Sequence, residues 1–274
     1  MSTPSTTATT AAVEAGVNDE DDQRRVAVIT GASSGIGRAV AVELARQGVD
    51  VVIGTHPADA HDPELTAQLV ADVGGRSVIA AVDVSSTAQV DAFVQAALNT
   101  WGRLDVVVAN AGILRRTPLA DMSDSEWNRI LDVDLTGAFR LFRAAAPHTG
   151  AGGAFVGISS FAGAIFGWQE HVHYASAKAG MLGLIRSLAM ELGPQGIRVN
   201  AVVPGTIDTP QANDPVNSLG PEGIAAQALG VPLRRTGRAQ DVANVVRFLS
   251  SSDAAYITGQ AVVVDGGLSV RMPG

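Results

Sequence analysis

The chain has 274 residues, 46% apolar and 17% charged, with a formal net charge of −8. That composition suits one buried core of single-domain size, and the acidic balance argues against the extended phosphate-binding surface that nucleic acid requires. No run approaches the roughly 18 apolar residues of a membrane span, and the lack of cysteine removes disulfides, thiolate catalysis and thiolate-held zinc while fitting a reducing cytoplasm.

Residues 1–23 read as a disordered tail. "MSTPSTTATTAAVEAG" is rich in Ser, Thr and Ala, an acidic run follows, and neither carries apolar periodicity or a signal-peptide pattern. One domain is expected over 24–274. Continuous β-branched runs at 25–30, 50–54, 77–83, 104–110, 153–159, 197–203 and 260–265 read as strands covered on both faces. Amphipathic segments near 36–47, 63–72, 87–100, 124–146, 175–193 and 239–250 read as helices between them, and Ser123 with Glu126 forms a capping box at one helix start. The alternation predicts an α/β fold with a parallel sheet and right-handed crossovers. The one long irregular stretch, 205–237, is rich in Gly, Pro and Asn and reads as a lid over a site.

Two motifs carry chemistry. "VITGASSGIG" sets Gly31, Gly35 and Gly37 after the first strand and at the opening of the first helix. A tight turn there brings backbone N–H groups and a helix N-terminus against a pyrophosphate, although a turn that only permits close packing uses the same residues. Farther along, Asp83 closes the third strand, where it can accept from an adenine amino group. "NAG", Asn110 to Gly112, closes the fourth and lets a ribose approach the backbone. The second motif is "YASAK". Lys178 is the only lysine beside 18 arginines and stands four residues after Tyr174, so the two share a helix face. A phenol titrates near ~10 and exchanges protons poorly at neutral pH, whereas a nearby ammonium lowers that value. The alternative, an inert pair on a solvated helix, does not explain why arginine serves at every other basic position.

In order and separation, "TGASSGIG", "NAG", "SSFAG", "YASAK" and "NAVVPGTIDT" resemble the short-chain dehydrogenase/reductase family, in its single-domain branch, over residues 25 to about 268. The resemblance implies a Rossmann-like, doubly wound parallel sheet of seven strands flanked by helices. It also implies hydride transfer between a nicotinamide cofactor and a carbonyl or secondary alcohol. Tyr174 would then be the general acid/base, Lys178 the charge that lowers its pKa and holds the nicotinamide ribose, and Ser160, rather than Ser159, the donor to the substrate oxygen. Cofactor contacts are implied at Gly31, Ser33, Ser34, Gly35, Ile36, Gly37, Thr55, His56, Asp83, Val84, Asn110, Ala111, Gly112, Tyr174, Lys178, Pro204, Gly205, Ile207 and Thr209. The separation of Ser160 from Tyr174 is one residue longer than usual, which predicts a bulge in the intervening loop. Asp134 stands where many members have an asparagine that holds a relay water. An ionised carboxylate there would partly offset the pull of Lys178 on Tyr174.

The end of the second strand bears on the choice of cofactor. An aspartate there would bind an adenosine 2′-hydroxyl and repel a 2′-phosphate. This chain has Thr55 and His56 instead, so NADP(H) is favoured over NAD(H), while Ser34, Asp59 and Asp62 weigh the other way. Phe166, Trp168, His171 and His173 are expected to form one wall of the substrate pocket and residues 210–232 another, for a small hydrophobic carbonyl or alcohol. "HVH" lacks the carboxylates of a metal site, so no metal is expected. Arg115 and Arg116 read either as a solvated loop pair or as contacts for an anionic or acyl-carrier substrate. The helices near 124–146 and 175–193 match those that pair subunits in the family, which implies a homotetramer. The rival reading is a catalytically idle dinucleotide-binding redox sensor or regulatory protein, which needs the glycine turn but not the Tyr–Lys pair.

Overall fold

The computed structural model describes residues 24–271, so the tail predicted over 1–23 lies outside the described residues. The strands are β1 (Val26–Ile29), β2 (Asp50–Thr55), β3 (Ser77–Ala81), β4 (Leu104–Ala109), β5 (Thr149–Ile158), β6 (Arg198–Pro204), β7 (Ile207–Asp208), β8 (Gly237–Arg238) and β9 (Ala261–Val264). Seven of them form one sheet in the order β3-β2-β1-β4-β5-β6-β9, every pair parallel, and β7 with β8 forms a separate two-stranded piece. The strands read as continuous apolar runs because successive residues serve opposite cores. Val28, Val107 and Phe155 face one core, while Ile29, Val106 and Val156 face the other.

The helices are α1 (Gly35–Arg46), α2 (Pro63–Asp72), α3 (Thr87–Trp101), α4 (Asp124–Leu131), α5 (Gly137–Ala145), α6 (Phe161–Ala164), α7 (Val172–Leu192), α8 (Gly220–Gly230) and α9 (Ala239–Ser250). On one face α3, α5 and α7 cover the sheet, with Phe142 stacked on Phe155 at 5.4 Å, a pair contributing about 0.5–1.5 kcal/mol beyond its buried area. Helices α1 and α9 cover the other face through Val40, Leu44, Val242 and Val246. Local sequence starts several helices. The Ser123 hydroxyl accepts from Glu126 N–H and the Glu126 carboxylate from Ser123 N–H, Asp62 caps α2 ahead of Pro63, and Ser86 caps α3. The sheet order reverses between β1 and β4, and a doubly wound sheet opens its ligand crevice at such a point.

Three features depart from the sequence expectations. The helix predicted over 124–146 is broken by a π-helical turn, Asp132–Thr136, whose wide winding carries the buried Asp134. Strand β3 ends at Ala81, so Asp83 sits in the following loop rather than closing the strand. The segment 205–237 is not structureless, since it holds β7, α8 and β8. No described helix is long and apolar enough to cross a membrane.

Candidate active site

A cleft of about 1650 Å³ runs along the C-terminal ends of the central strands, from the glycine turn to the start of α7. Gly31 and Gly35 adopt φ of +64° and +52°, the left-handed region that glycine enters without strain. Gly37 serves packing instead: a Cβ there would lie 2.2 Å from the Gly31 carbonyl oxygen and 2.6 Å from Asn110 Nδ2. Ser34 stands at the N-cap of α1 in extended conformation and makes no side-chain cap, so it supplies no acceptor to the first-turn N–H groups. Ser34, Gly35 and Ile36 line the cleft, and a helix N-terminus presented in this way fits a pyrophosphate. Thr30, a residue the sequence reading missed, ties the next strand to this turn. Its hydroxyl oxygen accepts from Asn110 N–H and Ala111 N–H, each at 3.1 Å. The Asn110 side chain donates to the carbonyls of Thr30 at 2.9 Å and Gly31 at 3.0 Å, so it holds the frame while Ala111 and Gly112 line the cleft beside it.

Beyond β2 and β3 the cleft is lined by His56, Ala58, Asp59, His61 and Val82 to Ser85. Asp59 folds back on the glycine turn, accepting from the Ser33 hydroxyl, and its other oxygen lies 2.8 Å from His61 Nδ1. Burial works to raise this carboxyl, but the bonds from Ser33 and His61 outweigh it and hold it below the usual range. Asp83 is likewise held low, chiefly by the Ser85 hydroxyl at 2.7 Å.

At the opposite end Ser160, Tyr174 and Lys178 meet with Asp134, all four buried. Lys178 Nζ lies 3.3 Å from Asp134 Oδ2 and 5.6 Å from the Tyr174 ring centre, and it donates to the Ile158 carbonyl at 3.2 Å. Asp134 Oδ1 accepts from Ile113 N–H at 2.8 Å. The Ser160 hydroxyl works to favour the ionised form of the phenol, and its oxygen accepts from Ala162 N–H at 3.2 Å. Ser159 instead donates to the Lys178 carbonyl at 2.7 Å, a packing role.

Electrostatics here correct a sequence expectation. Burial pushes the Tyr174 phenol up, the Lys178 charge pulls it down and Asp134 pushes it up again, with a net rise rather than the predicted fall. Burial also raises Asp134 against the opposing charge of Lys178. For Lys178 burial works downward, and the charges of Asp134 and Tyr174 outweigh it.

Other expected residues fall elsewhere. Gly37, Ser33 and Thr55 do not line the cleft: Gly37 packs on the turn, the Ser33 hydroxyl is turned to Asp59, and Thr55 is buried at the end of β2. His171 and His173, expected in the substrate wall, are fully buried behind it. The two ring nitrogens of His171 lie 2.8 Å from the Gln169 carbonyl oxygen and 3.0 Å from that of Asn217, and His173 Nδ1 accepts from Tyr174 N–H. The wall is formed by Leu114, Phe161, Phe166, Trp168 and Leu219, with Trp168 stacked on His171 and edge-on to Tyr174. In the loop before α7, Glu170 takes a φ of +64°. Arg116 donates to the Ser218 carbonyl at 2.9 Å and pairs with Glu170, so it fastens the 205–237 segment.

Residues 31–269 match the family model described as enoyl-(acyl carrier protein) reductase. The chain is 40% identical to cis-4-hydroxycyclohexanecarboxylate dehydrogenase of Sinomonas cyclohexanicum, over 89% of this chain and 96% of the relative. It is 38% identical to L-rhamnose 1-dehydrogenase (NAD(P)(+)) of Azotobacter vinelandii, over 90% and 98%. Among solved structures, levodione reductase matches with a TM-score of 0.82 and 33% identity, covering 90% of this chain and 98% of that one. A short-chain type dehydrogenase/reductase from Mycobacterium marinum gives the same score and identity over 92% and 99%. The chain belongs to the short-chain dehydrogenase/reductase family. It is an NAD(P)-dependent oxidoreductase that transfers a hydride between a nicotinamide cofactor and a carbonyl or secondary alcohol. These relatives are named as dehydrogenases and reductases, which leaves the idle-sensor reading without support.

Proposed function

We propose that the enzyme interconverts hydrophobic cyclic ketones and secondary alcohols, with Tyr174 as general acid/base, Ser160 as donor to the substrate oxygen and Lys178 as the charge that favours phenolate and holds the nicotinamide ribose. The observation that carries this reading is the meeting of those three side chains, all buried, on one wall of the cleft. A phenol held above its ordinary pKa is protonated at neutral pH, the form that donates to a developing alkoxide. Oxidation requires the phenolate and therefore gains from alkaline pH. Asp134 and the Ile158 carbonyl keep the ammonium in place, and Asp134 opposes its effect on the phenol.

The substrate class rests on the apolar wall of Leu114, Phe161, Phe166, Trp168 and Leu219, and on relatives named for cyclic compounds, cis-4-hydroxycyclohexanecarboxylate, (-)-trans-carveol and levodione. The segment 205–237 acts as the lid in this reading. It meets the cleft through Ile207, Thr209 and Gln211 and is anchored through Asn217 and Ser218. NADP(H) is favoured over NAD(H), with no carboxylate on Thr55 and an imidazole beside it at His56. A cytoplasmic homotetramer belongs to the same reading, supported by outward apolar residues on α7 such as Val172 and Met190. The test is consumption of NADPH and NADH with cyclic ketones set against 3-oxoacyl thioesters, in the parent and in Tyr174→Phe. Cyclic ketones should turn over with the parent alone. Equal rates in the two proteins would remove Tyr174 from the chemistry, and a preference for the thioesters would overturn the substrate class.

A further inference from the structure

Among the charged side chains that line the cleft, Asp134 and Lys178 are the buried ones, and they face each other at 3.3 Å. The two carboxylate oxygens of Asp134 have different partners. Oδ1 accepts from Ile113 N–H at 2.8 Å, a bond that an amide oxygen would make equally well. Oδ2 makes no hydrogen bond of ordinary geometry among the described residues, and what it meets is the ammonium. Gly112 comes so near that a Cβ there would lie 3.0 Å from Oδ2 and 3.3 Å from Lys178 Nζ, so both charges sit directly behind backbone that lines the cleft. Compared with an amide of the same shape, the carboxylate adds charge rather than a bond that the fold needs.

Lys178 keeps a donor to spare for a ligand in the cleft once the Ile158 carbonyl at 3.2 Å and Asp134 are served. The other carboxylates along the cleft are committed elsewhere: Asp132 to Arg140, Asp214 to Asn217, Asp59 to Ser33 and Asp83 to Ser85. Arg129 lines the cleft as well, but it is exposed and solvent screens it. A buried charge is screened far less, so the sum of the Asp134–Lys178 pair governs the field that a ligand meets beside Lys178.

We infer that Asp134 sets the balance between the oxidised and the reduced cofactor, by cancelling the Lys178 charge beside the nicotinamide. A nicotinamide ring carries a positive charge when oxidised and none when reduced. An uncompensated ammonium would repel the oxidised form alone, whereas a neutral pair accepts both. Asp134 is thus a specificity-determining residue that acts through Lys178, apart from its effect on the phenol. The inference rests on the placement of Lys178 at the nicotinamide ribose proposed above, and adds what the buried counterion does there.

Equilibrium binding tests this without turnover. Dissociation constants for NADP⁺, NADPH, NAD⁺ and NADH are measured by calorimetry on the full chain at about pH 7, where the phenol is protonated. The proteins are the parent, Asp134→Asn, Lys178→Gln and the double variant. Asp134→Asn should weaken the oxidised forms about tenfold relative to the reduced ones, the effect of one buried charge at short range. The double variant removes both charges, so its oxidised-to-reduced ratio should return to within about threefold of the parent, even with every form bound more weakly. A purely structural role would move both redox forms together and leave the ratio in place. That outcome, or a double variant that keeps the shifted ratio of Asp134→Asn, would overturn the inference. Loss of all binding in Asp134→Asn would also overturn it, by showing that the fold does need the carboxylate. Lys178→Gln separates failure of the underlying placement and should weaken every form. Unchanged affinities there would remove the lysine from the ribose, and this inference with it.

Discussion

At one end of the cleft Asp134, Tyr174 and Lys178 keep 1%, 9% and 4% of their surface exposed; at the other the side chains of His56 and His61 keep 53% and 42%. The buried end holds its charges by fixed partners, so each charge acts on its neighbour with little screening and the proton positions are set by packing. The open end holds its charges by short local bonds within a loop, where solvent screens them. One region is closed around a proton-bearing group, and the other lies open to solvent at the far end of the same cleft.

The largest expected effect comes from Tyr174→Phe, which should lower turnover about a thousandfold while changing the NADPH dissociation constant by less than about threefold. Equal losses in both would show that the phenol supports the cleft rather than the chemistry. Next comes Asp134→Asn. The carboxylate charge pushes the phenol up, so its removal should move the acid limb of the pH–rate profile for alcohol oxidation to lower pH. A limb that stays in place would mean that Asp134 and Tyr174 are uncoupled. His171→Ala should leave the Asn217 carbonyl without its buried partner, cost about 1–3 kcal/mol in denaturant unfolding and raise the KM for ketone more than it lowers kcat.

The smallest effect belongs to a control outside the cleft. Asp241 accepts from Arg235 and from Arg238 N–H at the start of α9, and Asp241→Ala should cost about 0.5–1 kcal/mol with both ends of the cleft unchanged. Arg235 chiefly holds this carboxyl below its ordinary value. Its contribution is therefore present above the unfolded value near ~4 and fades as pH falls through the lower folded one, which a pH series of unfolding curves would reveal.

What the sequence made legible follows the same division. The strands were readable because β-branched runs need no distant partner to declare themselves, and the Tyr174–Lys178 pair because a helix brings residues four apart onto one face. The features that escaped depend on residues far apart in the chain. Ser33 meets Asp59 across 26 positions, His171 meets Asn217 across 46 and Thr30 meets Asn110 across 80. His171 looks like a pocket residue by its place before Tyr174, and only the returning 205–237 segment turns it into an internal clasp. The direction of the Tyr174 shift was misjudged for a related reason. Spacing reveals the ammonium beside the phenol, but not how completely both are shut away from water.

Since the Asn110 amide grips the carbonyls of both Thr30 and Gly31, the glycine turn and the end of β4 are clamped at a fixed separation within the sheet. The reach of the molecule along a dinucleotide is thus gauged by its scaffold and not by its loops. If 205–237 is the lid proposed above, exchanging it for the corresponding segment of a relative should retarget the substrate while leaving that gauge untouched.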